Sequence, residues 1–496
     1  MKKLMNSFLA GVTLAILVSP AMARDLTVDL AGEPSSLDPH LQWNPDSYYV
    51  YRNIFDNLLT RDNNGAIVPQ IATKWEQTSD TELTLTIREG VKFHDGSALT
   101  AEDVAFSVKR ITSPDLGSPQ LGQFNQIIDA KVIDTNKVVL VTSGPYPALM
   151  AQLVKLSIVP KNVVDAVGND AFNAAPVGSG PYVFEEWSRG IAVTLNSNLD
   201  YWGQTGPFEK VTFRAVPDAA TRVADLQAGT ADLIVSIDAD VGAQLAGNPD
   251  VKLLSGTTER VGYLGLNLDK PPFNNLEMRK AASLAIDLVG ITEGLLQAGE
   301  VPVAQMSTPA HFGYSSDVPA FRYNLEEAKA ITAANPDLAA TPATLATAPV
   351  FDQRIVQAVQ QMLNDAGFNI SISVTDMPTY LDIVRSDPEE NSELSFGRWS
   401  CACQDADGIA YPTLHSDSSW SRVNDPELDK LLEEARVSLD PKVRQAAYNE
   451  VHKIARDNYY QLPMYQAAVL YGATADLEFK PTANESMFLN RMTIAE

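Results

Sequence analysis

The sequence predicts an α/β protein of two or three lobes, and three observations lead there. Short stretches with one apolar face alternate along the chain with amphipathic helical stretches. At 496 residues the chain is longer than one hydrophobic core usually serves. No repeat with a period of roughly 20–50 residues is visible, which argues against solenoids and propellers.

The N-terminus comes first. Lys2 and Lys3 precede an apolar run from Phe8 to Val18, too short for a membrane span, and Ala21-Met22-Ala23 forms a small-residue cleavage site. Residues 1–23 therefore read as a signal peptide cut after Ala23, which sends the mature chain to the periplasm. The residue after the cut is Arg24, not Cys, so nothing signals lipid attachment. Losing Lys2 and Lys3 takes the formal charge from −25 to −27 (−25 − 2). Such an acidic chain repels phosphate backbones, which excludes nucleic acid as a natural partner.

Further on, "LTLTI" alternates Leu83, Leu85 and Ile87 with threonines, a strand with one buried face. In "SALTAEDVAFSVKRI", Thr100 stands at a helix N-cap with Asp103 three residues on, and Leu99 can staple onto Val104. "AANPDLAATPATLATAP", Ala333 to Pro349, reads as a surface connection leading into a strand. "NDPELDKLLEEA" and "LDPKVRQAAYNEVHKIA" each place Asp before Pro, a cap and first-turn pair, ahead of apolar residues at helical spacing.

Catalytic signatures are absent from the sequence. His94-Asp95 sits in "VKFHDG", where Asp95-Gly96 is turn chemistry. "VGSGPY" lacks the spacing of a phosphate loop. No GxSxG, HExxH or CxxC occurs, and no two of the five histidines stand at ligand spacing. The two cysteines, Cys401 and Cys403, lie in "FGRWSCACQDADGIAYP". They are open to several readings: a soft-metal site, a redox pair, a Cys nucleophile with His415 as base, two buried thiols, or a small-ring disulfide. In an extended strand residues i and i+2 lie roughly 6.5–7 Å apart, so a bridge requires the backbone to bend.

Several stretches in order resemble one family. They are "EPSSLDPH", "YRNIFDNLLTRDNNGAIVPQIATKWE", "VKFHDGSALTAEDV", "PVGSGPYVFEEW", "NSNLDYWG", "DLQAGTADL", "PPFNNLEMRKAASLAID" and the region of Trp399. The family is the extracytoplasmic solute-binding proteins of ABC importers, family 5, which take dipeptides, oligopeptides, nickel and similar cargo. The resemblance implies a type II periplasmic-binding-protein fold, two hinged α/β lobes with an extra inserted domain. On this sequence it implies a first lobe over 24–54, 159–260 and 474–496, an inserted domain over 55–158, and a second lobe over 261–473. The expected crossings lie near Tyr263 and Ala473.

The resemblance also implies a function. It is a monomeric receptor, not an enzyme and without a cofactor, that closes over a small-molecule ligand and delivers it to an inner-membrane ABC permease. The ligand is peptide-like or another polar organic solute; a nickel or metal-chelate receptor, with an exposed His415 completing the coordination, is the alternative within the fold. A hydrolase or redox enzyme using Cys401 and Cys403 is the alternative outside it. The implied ligand-binding residues are Ser35, Ser36, Tyr263, Arg398, Trp399, Cys401, Ala402 and Asp405. Peptide-binding members place an Asp three residues after the Trp to accept the α-ammonium. Here Ala402 stands there, while Asp405 and Asp407 match acids of the following turn. The Arg that clamps a dipeptide carboxylate also lacks a counterpart, since no Lys or Arg occurs between Lys329 and Arg354.

Overall fold

The structure is a computed structural model that describes residues 24–495. The signal peptide expected over residues 1–23 lies outside the described residues.

Two long strands organise the molecule. Val251–Leu266 and Gln461–Thr474 pair antiparallel at the centre of an eleven-stranded sheet. Beyond Gln461–Thr474 the order runs through Leu233–Ile237, Arg24–Leu30, Phe208–Ala215, Ala192–Ser197 and Tyr182–Ser188. Beyond Val251–Leu266 it runs through Leu394–Trp399, Pro342–Thr347 and Asn369–Val374. Each wing packs its own core. One contains Val28, Tyr49, Phe213, Leu233, Tyr471 and Ala473; the other contains Leu264, Met278, Leu345, Phe396 and Leu462. The central pair thus contributes one end to each.

Between those ends the pairing is interrupted. Thr257 faces Ala468 and Val261 faces Gln466, so three residues, Thr258, Glu259 and Arg260, stand opposite Ala467 alone. A bulge of this kind bends a strand and re-aims its side chains. Tyr263 lies beyond it, opposite Gly397. Ala473 pairs with Leu233 and packs in the first core, so the return passage falls several residues before Ala473, beside the bulge.

A third core is built by residues from Leu58 to Ile158. Its sheet holds Ala72–Ser79, Glu82–Ile87, Lys137–Thr142 and Ile127–Asp134 in that order. Glu82–Ile87 alternates half-buried and buried positions along its length, as its sequence requires. The helix Ala101–Ile111 covers this sheet, and Asp103 accepts the Thr100 N–H at 2.9 Å.

The shared stretches turn out to hold the cores together. Asp56 is buried and accepts from Gln70, Ser179, Tyr201 and Trp202 at 2.7–3.0 Å. Burial raises its pKa to about 6, against the pull of those four donors. His94 bonds the turn at Gly178 and Gly180, which leaves it no catalytic partner. Asp38 and His40 both accept from Arg110, on the helix of the third core.

Gly178 passes against the backbone at Ile54. A Cβ there would stand 2.0 Å from the Ile54 carbonyl oxygen, and backbone cannot swing aside. Gly178→Ala is expected to cost about 1–3 kcal/mol or more, read as a lower urea midpoint. An unchanged midpoint would contradict the packing.

Candidate functional site

The strand Leu394–Trp399 pairs with Val251–Leu266, placing Trp399 opposite Val261 and Arg398 opposite Gly262. Neighbouring strand residues face opposite ways. Trp399 and Arg398 accordingly line different cavities.

After Trp399 the chain turns sharply. Cys401 and Cys403 form a disulfide with their Cα atoms 5.0 Å apart, so the backbone has bent as a bridge requires. The bridge leaves neither cysteine as a thiolate, the form that serves as nucleophile or metal ligand. Gly408 sits against it: a Cβ there would meet the Cys401 sulfur at 2.4 Å. The Trp399 indole donates to the Gly408 carbonyl at 3.0 Å and meets Trp420 edge-on at 5.1 Å. The helix Asp407–Leu414 follows and brings Asp407 and Tyr411 to the same cavity.

The opposite wall comes from the first and third cores. Trp43 arrives just before the helix Pro45–Ile54, and Gln123, Tyr146, Gln152 and Lys155 arrive from the third core. The space between the walls is about 350 Å³, within the range typical of small-molecule sites. Arg61 donates to the Cys403 carbonyl at 2.5 Å, a contact between the strand Leu59–Arg61 and the turn after Trp399.

Three ionisable groups in this cavity are displaced from their ordinary ranges, and one of them is Tyr146, whose pKa burial pushes up. Burial lowers the Lys155 pKa to about 7; Arg52 pushes the same way and Glu259 opposes. Burial raises Asp407 to about 6, while Arg436, 3.4 Å away, pulls it down. Arg436 in turn lies over the Tyr411 ring at 3.8 Å.

Of the eight residues expected from sequence, Trp399, Cys401 and Ala402 meet in this cavity. The other five stand elsewhere. The Ser35 hydroxyl accepts from Gln42 and Asn44, and Ser36 donates to Asn173 at 2.9 Å. Both brace the loop that carries Trp43. Tyr263 lines a pocket of about 30 Å³ with Thr413 and Trp420. Arg398 lines a cavity of about 660 Å³ on the other face, with Arg260, Asp352 and Arg354. Asp405 is buried and engages Arg444 through both oxygens, at 2.7 and 3.1 Å.

His415 is buried and stacked on Tyr411 at 4.3 Å, not exposed to a chelate. Among the described residues no group of three or more His, Cys, Asp or Glu could hold a metal ion. The cavity is also lined by Trp43, Gln123, Lys155 and Asp407, which no motif in the sequence singles out. The available signal was Lys155 itself, the single charge in the run "LMAQLVKLSIVP".

Two α/β cores joined by a long antiparallel strand pair, with a third unit inserted in the first and a cavity among them, define a type II periplasmic binding protein. HbpA2 from Haemophilus parasuis has this fold, with a TM-score of 0.86 at 23% identity over 95% of this chain and 100% of that one. AgaA from A. tumefaciens R10, solved with agropinic acid, gives a TM-score of 0.75 at 25% identity over 95% and 99%. The glutathione-binding protein GsiB of Salmonella typhi is 25% identical over 460 residues, 90% of this chain and 89% of that protein. Residues 66–421 match the bacterial extracellular solute-binding proteins, family 5 Middle. The chain belongs to that family of solute-binding receptors.

Proposed function

We propose that the protein is a periplasmic receptor that binds one small polar organic solute in the 350 Å³ cavity and presents it to an inner-membrane ABC permease. The observation that carries this is the origin of the walls. Trp43 and Lys155 come from one side of the central bulge and Trp399 from the other, so a solute touching both favours the closed arrangement over the open one. The bulge at Thr258–Arg260 and its partner Ala467 serve as the hinge. The mature chain starts at Arg24 after cleavage of the signal peptide and acts as a monomer.

The receptor reading predicts one solute per chain, returned unchanged. Native mass spectrometry of the protein as purified, followed by denaturation and identification of the released solute, tests it. Catalytic turnover of that solute by the protein would overturn it.

Relatives bear names as different as glutathione-binding and probable D,D-dipeptide-binding, so their names do not choose the solute. The cavity favours an organic solute other than a simple dipeptide. Ala402 offers a methyl group where an ammonium needs a carboxylate, and Asp407 is already engaged with Arg436. Arg354 is held by Asp352 and Asp240. Unmodified dipeptides are expected to bind weakly. Ala402→Asp is expected to strengthen their binding about ten- to a hundredfold, the worth of a charge-assisted hydrogen bond. Calorimetry with a dipeptide panel checks both, and micromolar binding by the unaltered protein would contradict the first.

A further inference from the structure

Lys155 is 3% exposed yet lines the cavity. An ammonium has three donors, and among the described residues the one side-chain bond it makes is to the Gln123 amide oxygen. Its other neighbours are aromatic: the Trp43 ring at 5.5 Å and the Phe124 ring at 5.8 Å. Among the described residues it forms no ion pair. Glu259 acts on it by charge alone, from beyond salt-bridge distance, and is shared with Arg260.

A second buried cation deepens the imbalance. Arg52 lies over the same Trp43 ring at 5.6 Å, and its bonds go to the Ser486 hydroxyl and the Val154 carbonyl, both neutral. A lysine kept inside a protein for structural reasons is normally paired with a carboxylate, because an unpaired buried charge is costly. Here the missing partner faces open cavity.

We propose that Lys155 anchors an anionic group of the solute, a carboxylate, phosphate or sulfonate, laid against Trp43 and received by the free donors of the ammonium. This rests on the reading of the cavity as the solute site. It makes the solute an organic acid whose charge is read by the third core, on the wall facing Trp399.

The test compares the full mature chain with Lys155→Met and Trp399→Ala. Each protein is stripped of solute by unfolding and refolding, checked by its melting curve, exposed to deproteinised yeast extract, and examined by native mass spectrometry. Methionine fills a similar volume among Trp43 and Phe124, so the first variant is expected to fold. The unaltered protein is expected to capture a solute carrying an acidic group, and both variants to hold it at least about tenfold less tightly. A captured solute with no acidic group overturns the inference. So does retention by Lys155→Met at full affinity when Trp399→Ala has lost the solute, a result that leaves the receptor site standing. A solute that both variants hold as tightly as the unaltered protein removes the site and this inference with it.

Discussion

Asp405→Ala is expected to destabilise the protein by about 3–5 kcal/mol, one of the largest effects any single substitution here should have. Asp405 and Arg444 are both buried, and their two bonds tie the turn after Trp399 to the helix Pro441–Asp457. Removing the carboxylate strands the guanidinium, which also lies over the Phe312 ring at 4.5 Å, without a counter-charge. Urea unfolding would measure the loss. The double change Asp405→Leu with Arg444→Met should recover much of it, since replacing a whole buried pair by apolar groups is often neutral. An Asp405→Ala protein with unchanged stability but lost solute binding would return Asp405 to the ligand.

Lys155→Met is expected to do the reverse at neutral pH and make the solute-free protein more stable, by an amount on the order of a few kcal/mol. The ammonium is buried beside Arg52, and among the described residues Gln123 and the more distant Glu259 are its only polar relief. Its pKa falls from 10.5 in the unfolded chain to about 7 in the folded one. Between those values the unfolded chain binds more protons, so the stability of the unaltered protein rises with pH across that window and this contribution is flat below it. The gap between Lys155→Met and the unaltered protein should therefore be widest at pH 7 and below, and close as pH approaches 10.5. Thermal melts of solute-free protein would show it; bound solute must be removed because it stabilises the folded state by itself. A variant less stable than the unaltered protein at pH 7, or a gap that ignores pH, would contradict the account. A residue that weakens the fold while lining the cavity is what selection for binding leaves behind.

The α/β alternation, the helix after Thr100 and the Asp-Pro helix starts were legible because each depends on neighbours in sequence. The return passage was not. Gln461–Thr474 is buried along almost its whole length, so no change of polarity marks where it leaves one core for the other. Trp399, Cys401 and Ala402 line one cavity together because they fall within four consecutive residues of one turn, a grouping visible in the sequence. Asp405 and Asp407 look alike in sequence, and only the position of Arg444, far along the chain, turns the first inward while the second meets the cavity. Ser35 and Ser36 stand away from that cavity for a related reason. A loop serine bonds solute or protein equally well, and here Gln42, Asn44, Ser47 and Asn173 take it. Trp43 and Lys155 reach Trp399 only through the packing of the three cores, which no local pattern encodes.

The cavity between Trp43 and Trp399 is proposed to hold the solute. A crystal structure of the protein with its retained solute tests it most directly. Solute density is expected in contact with Trp43, Lys155 and Trp399. Density instead in the 660 Å³ cavity beside Arg398 and Arg354 would contradict it.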